Sequence, residues 1–168
     1  YALALSLSKN KEHDEAIDLV ENLYRQNPSS VLYTGALAEV LINAEQHAEA
    51  QRLLKATLQL YPENFPLEML LARSKIVTED FMGAEMLLEN QAKRRPNDVN
   101  IWYELAETSG LAGNVTGVHL ARAEYFSLNG AFHRAIQHLE YAQRLVDDKK
   151  FQLEAKLSQK IQDLRTEI

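Results

Sequence analysis

Apolar and small positions recur along this chain with a period too long for one helix. A leucine followed by an alanine stands at Leu3-Ala4, Leu37-Ala38, Leu71-Ala72 and Leu105-Ala106. The first three pairs are each followed twelve residues later by another alanine, at Ala16, Ala50 and Ala84, and a proline closes each unit at Pro28, Pro62 and Pro96, 34 residues apart. Two antiparallel helices of about three turns, with two short turns, occupy roughly that length, and a small side chain where they cross lets their backbones approach. Each proline lacks an N–H and restricts the residue before it, so it ends the second helix. Ser29, Asn64 and Asn97 are then expected to cap the next one.

The ladder resembles the tetratricopeptide repeat (TPR), which implies an all-α solenoid of about ten antiparallel helices whose usual work is to hold another molecule. The pattern predicts helices over 1–9, 12–26, 30–43, 46–60, 64–77, 80–94, 98–112, 115–129, 131–146 and 149–166. No run alternates apolar and polar residues as a strand would over any useful length. The last helix carries an apolar stripe at Leu153, Leu157, Ile161, Leu164 and Ile168 with polar residues elsewhere, the form of a solvating end cap.

After Pro96 the register changes. Leu105-Ala106 arrives on schedule, but Val118 stands where the next alanine belongs, and the alanine pair returns at Ala123/Ala135, one and a half periods after Ala72/Ala84. One helix has been added to the alternation, so a half-repeat shift is expected near residues 110–114, with Gly113 as a helix stop and Asn114 as a cap. This divides the chain into sub-stacks 1–112 and 113–168, together one TPR domain. The first pattern alanine lies at residue 4, which leads to the expectation of a fragment of a larger protein.

Composition narrows the function classes. With 46% hydrophobic and 25% charged residues among 168, the chain can bury an ordinary core. A formal charge of −6 disfavours a general nucleic-acid binder. With no cysteine, disulfides and thiolate metal sites are excluded. No membrane-length apolar run and no signal peptide is visible. Catalytic motifs are absent as well: there is no HExxH, no phosphate-binding glycine loop and no nucleophile elbow. Of the five histidines only His133 and His138 are close in sequence, about 140° apart around a helix, which suits surface positions better than a metal pair.

Binding surfaces are the remaining candidates. First-helix positions of successive hairpins offer Gly35, Ala36 and Glu39, then Met69, Leu70 and Arg73, then Tyr103, Glu104 and Glu107. Only Arg73 could join a clamp for a C-terminal carboxylate, so a mixed apolar and acidic groove is expected unless Met69 and Leu70 are packing residues. His119, Arg122, Ala123 and Phe126 share one helical stripe, beside Glu124 and Tyr125. There Arg122 stands where other hairpins carry leucine. Two readings stay open: a buried ion pair with Glu104, Glu107 or Glu124, or a half-exposed polar pocket also lined by Trp102 and Tyr103. Lys93, Arg94 and Arg95 complement a helix C-terminus, with an acidic partner as the other reading.

One longer resemblance is more specific. The run Arg94-Arg95-Pro96-Asn97-Asp98, Trp102, Leu105-Ala106-Glu107, Gly113-Asn114, His119, Ala121-Arg122-Ala123-Glu124-Tyr125-Phe126, Leu128-Asn129-Gly130, Arg134-Ala135-Ile136 and Leu139-Glu140-Tyr141-Ala142 is similar to the C-terminal repeat domain of the β-barrel assembly-enhancing protease (BepA) family. The resemblance implies a periplasmic setting and a non-catalytic domain that docks a zinc metallopeptidase onto the outer-membrane β-barrel assembly machinery, including BamA, and onto clients such as LptD. With no HExxH here, zinc and peptidase activity are expected only in a separate domain. Arg94, Arg95, Asn97, Asp98, Trp102, Tyr103, Glu107, His119, Arg122, Glu124 and Tyr125, with Arg73, are the candidate partner-binding residues. The other classes are a regulatory TPR scaffold for an unrelated soluble protein and a nucleic-acid-binding repeat, the latter supported only by residues 93–95.

Overall fold

The computed structural model describes residues 7, 12–146 and 151–168. Among these the chain forms nine helices and no strand: α1 His13–Gln26, α2 Val31–Asn43, α3 His47–Leu60, α4 Phe65–Val77, α5 Phe81–Arg94, α6 Val99–Leu111, α7 Val115–Leu128, α8 Phe132–Leu145 and α9 Phe151–Thr166. The helix expected over 1–9, with Leu3 and Ala4, lies outside the described residues.

The helices fall into two compact units, Tyr1–Asp80 and Phe81–Ile168. The boundary expected at 112/113 lies inside the second unit, between α6 and α7, which pack against each other. In the first unit Ala16, Ala38 and Ala50 have no exposed surface and Ala72 is buried. Ala16, Ala50 and Leu37 share one core with Val20, Val40 and Leu41. In the second unit Ala84, Ala106, Ala123 and Ala135 are buried in the same way. The repeating alanines are therefore the helix crossings, where a larger side chain would push two backbones apart.

The turns explain the period. Between the helices of a hairpin, the second residue after the helix turns left-handed, at Glu45, Glu79 and Gly113, with φ of 61°, 61° and 75°. Its N–H and the next one bond back to the last helical turn, as in Gly113 N to Gly110 O at 3.1 Å and Asn114 N to Ser109 O at 2.8 Å. This is the paired-bond termination of a helix by an αL residue. Between hairpins the chain makes a proline turn, which after Pro62 also carries a left-handed residue, Glu63 with φ of 63°; in the other two, Ser30 N bonds to Asn27 O and Asp98 N to Arg95 O, each across a Pro in second position. That four-residue turn moves the cap one position past the expected Ser29 and Asn97. Ser30 accepts from Tyr33 N and Asp98 from Asn100 N, while Asn64 and Asn114 cap where expected.

The added helix is α7. A glycine turn of the intra-hairpin kind recurs at Gly130, φ 72°, half a period after Gly113, where a proline turn would be due. Helix α7 thus closes one hairpin with α6 and opens another with α8, packing closely on both. Helix α9 ends the unit by burying Leu157, Ile161 and Leu164 against Ala123, Ala135, Ile136 and Leu139. Leu153 is partly buried there, whereas Ile168, expected in the same stripe, is exposed.

Candidate functional site

Helix geometry decides what reaches the surface of the second unit. On α7 only Ala121 and Ala123 are buried, toward its packed neighbours. Arg122 lies about 100° from each, so it points to a third, uncovered side. There it is 46% exposed and its Nη2 stands 3.4 Å from Glu107 Oε1 on α6. The buried ion pair expected as one reading is not formed. The leucine at the equivalent position of α2, Leu37, is buried because that helix is covered on nearly all sides.

Around Arg122 a strip of rings runs across α6, α7 and α8. Tyr103 meets Tyr125 with centroids 5.8 Å apart, and Tyr125 meets Phe126 edge-on at 5.3 Å. Phe126 stacks on His138 at 5.4 Å, and His138 faces His119, their Nδ1 atoms 2.9 Å apart. Tyr141 closes the strip against His119 at 5.2 Å. Guanidinium groups cover two of the rings, Arg134 over Phe126 and Arg144 over Tyr141. Tyr103 and Tyr141 are about half exposed. Desolvation holds both histidines below the ordinary imidazole pKa, and Arg122 adds to the effect; for His138 the neighbouring His119 adds as well. Glu104 is held above the ordinary carboxyl range by desolvation and by Asp98.

The candidate residues therefore separate. Tyr103, Glu107, His119, Arg122 and Tyr125 converge on the strip. Trp102, one residue and about 100° from Tyr103, turns away, its indole N–H donating to Pro96 O at 2.7 Å. It lines an apolar pocket with Leu105, Leu120 and Leu157, where Glu124 forms an ion pair with Lys160. A single pocket shared by Trp102 and Tyr103 is thus not what forms. Arg94, Arg95, Asn97 and Asp98 occupy the exposed end of α5 and the turn after it, and Lys93 pairs with Glu89 at 3.8 Å. Arg73 is exposed on α4 of the first unit, whereas Leu70 packs against that unit's core and is structural. Sequence reasoning missed His138, Tyr141, Arg134 and Arg144, although their spacing of three and four residues along α8 marks one face. Among the described residues no group of three or more His, Asp or Glu is placed to hold a metal ion, and no helix is long and apolar enough to cross a membrane.

Buried crossings, alternating turns and an open aromatic face define a helical repeat module. Tetratricopeptide repeats match residues 7–74 and 41–107, so the chain belongs to the tetratricopeptide repeat family, as a non-enzymatic repeat domain. Its similarity to one kind of protein is more particular. It is 26% identical over 136 residues to the beta-barrel assembly-enhancing protease of Yersinia pestis, covering 81% of this chain and 28% of that protein. It is 30% identical over 147 residues to a putative beta-barrel assembly-enhancing protease of Vibrio cholerae, covering 88% of this chain and 30% of that one. The chain thus spans less than a third of the length of these relatives. Among solved structures, MamA 41-end from Desulfovibrio magneticus superposes with a TM-score of 0.67 at 17% identity, covering 99% of this chain and 93% of that one. A tetratricopeptide repeat protein from Parabacteroides merdae gives 0.58 at 13% identity, covering 93% and 68%. These two likenesses speak for the fold alone.

Proposed function

We propose that this domain docks a periplasmic zinc metalloprotease with chaperone activity onto the outer-membrane β-barrel assembly machinery and its substrates, with BamA and LptD as the partners the family resemblance implies. The repeat family supplies the coarse part, protein binding, and the names of the relatives supply the setting. The observation that carries the reading to particular residues is the strip from Tyr103 to Tyr141. Tyrosine and arginine are enriched at the energetic centres of protein interfaces, where a rigid ring gives much contact area for little lost entropy. Here exposed tyrosines lie beside Arg122, Arg134 and Arg144 on three successive helices. The chemistry of cleavage, and the zinc that supports it, belong to the peptidase part of such a protein.

The test is capture. Full-length protein carrying Tyr103→Glu and Tyr125→Glu should recover less of the barrel-assembly components from periplasm and outer membrane than the parent, at equal folded yield. Equal recovery of those components by both proteins would count against the strip as the docking face. Recovery of only soluble proteins by the parent would favour a regulatory scaffold.

A further inference from the structure

We infer that the pocket at Trp102 binds an amphipathic anion: one alkyl chain ending in a carboxylate or phosphate. The pocket is an open cleft of about 450 Å³ wholly within the second unit, walled by α5, α6, α7 and α9 with Leu139 of α8 at its side. Its volume falls in the range of small-molecule sites. The lining is mainly apolar, with Trp102, Leu105, Leu120, Ala121, Leu153 and Leu157.

The polar atoms among the lining residues argue against a peptide. Trp102 Nε1 is engaged by Pro96 O, and Ser109 Oγ donates to Glu85 at 2.7 Å. The lining contains no Asn or Gln, the side chains that pair with both the N–H and the C=O of an extended peptide backbone. What remains is apolar wall below and charge at the mouth. Lys93, Lys156 and Lys160 face two carboxylates, Glu89 and Glu124, which pair with Lys93 and Lys160. A third carboxylate, Glu85, accepts from Ser109 and from Asn114, each at 2.7 Å; among the described lining residues Lys156 is the ammonium with no carboxylate partner, in a chain whose formal charge is −6. An apolar chain in the pocket with its anionic head at Lys156 satisfies both features.

Trp102 is the only tryptophan of the chain, so its fluorescence reports on this pocket. Octanoate, decanoate and dodecanoate, each below its micelle concentration, should give a saturable shift in Trp102 emission. Affinity should rise about fourfold per methylene until the pocket is filled. Dodecyltrimethylammonium should bind about tenfold more weakly than dodecanoate, and Lys156→Glu should remove that preference. Lys156 is exposed on α9, so the variant keeps the fold. A dodecanoyl lysophosphatidylglycerol separates a lipid-borne chain from a free acid, and saturation by either supports the site. Absence of saturable binding by any of these probes, or equal affinity for the cationic and anionic chains, overturns it. The readout is independent of protein capture through the strip.

Discussion

His119 on α7 and His138 on α8 face each other with their Nδ1 atoms at hydrogen-bonding distance, 2.9 Å apart. Only one imidazole can donate there while the other accepts, so the pair fits together when at least one ring is neutral. Burial and Arg122 push both rings the same way. Their folded pKa values lie below the ordinary 6.5, so the unfolded chain binds more protons just below that pH. Stability from this pair is fully present above about pH 6.5 and is lost as pH falls through the folded values. Denaturant titrations from pH 7.5 to 5 should show that decline, and His138→Gln should flatten it.

Glu79 and Gly113 occupy equivalent helix ends, each left-handed. A non-glycine residue pays about 1 kcal/mol or more in that region. Glu79→Gly should therefore raise unfolding free energy by up to about 1 kcal/mol, and Gly113→Ala should lower it by a similar amount. A Cβ at Gly113 would meet nothing within 4 Å, so the loss measured there is a backbone effect.

Ala123 has no exposed surface and sits in the core that α9 closes. Ala123→Leu should cost about 1–3 kcal/mol by overpacking. The same change at Ala155, exposed on α9, should be close to neutral, and thermal melts of the two variants make the comparison.

Arg122→Leu separates binding from folding. The Arg122 to Glu107 pair is about half exposed on both sides, and such pairs contribute little. Unfolding free energy should change by less than about 0.5 kcal/mol, while capture of partner protein falls. A large stability loss would mean that the guanidinium is structural.

Much of the fold was legible because one constraint repeats. A crossing that admits only a small side chain must recur at each hairpin, and Ala38, Ala72 and Ala106 recur with it. The half-period shift was legible for the same reason, from Ala123 and Ala135. Its surroundings were less so. The pattern marks where helices cross, but it does not tell how many sides of α7 are covered, and that decided whether Arg122 was buried. Nor could spacing along one helix reveal His119 beside His138, nineteen residues apart on two helices. Trp102 and Tyr103 are neighbours in sequence, which suggested one pocket, yet the helix turns them onto different surfaces.

The central claim is that the strip on α6, α7 and α8 is the face that meets the partner. Photo-crosslinking in full-length protein, with the reactive residue placed in turn at Tyr103, Tyr125 and Tyr141 and, as controls, at Gln152 and Gln159 on α9, tests it most directly. The account predicts adducts with outer-membrane barrel-assembly components from the three strip positions and few from the controls. Adducts from the controls alone, or none with those components from any strip position, would contradict it.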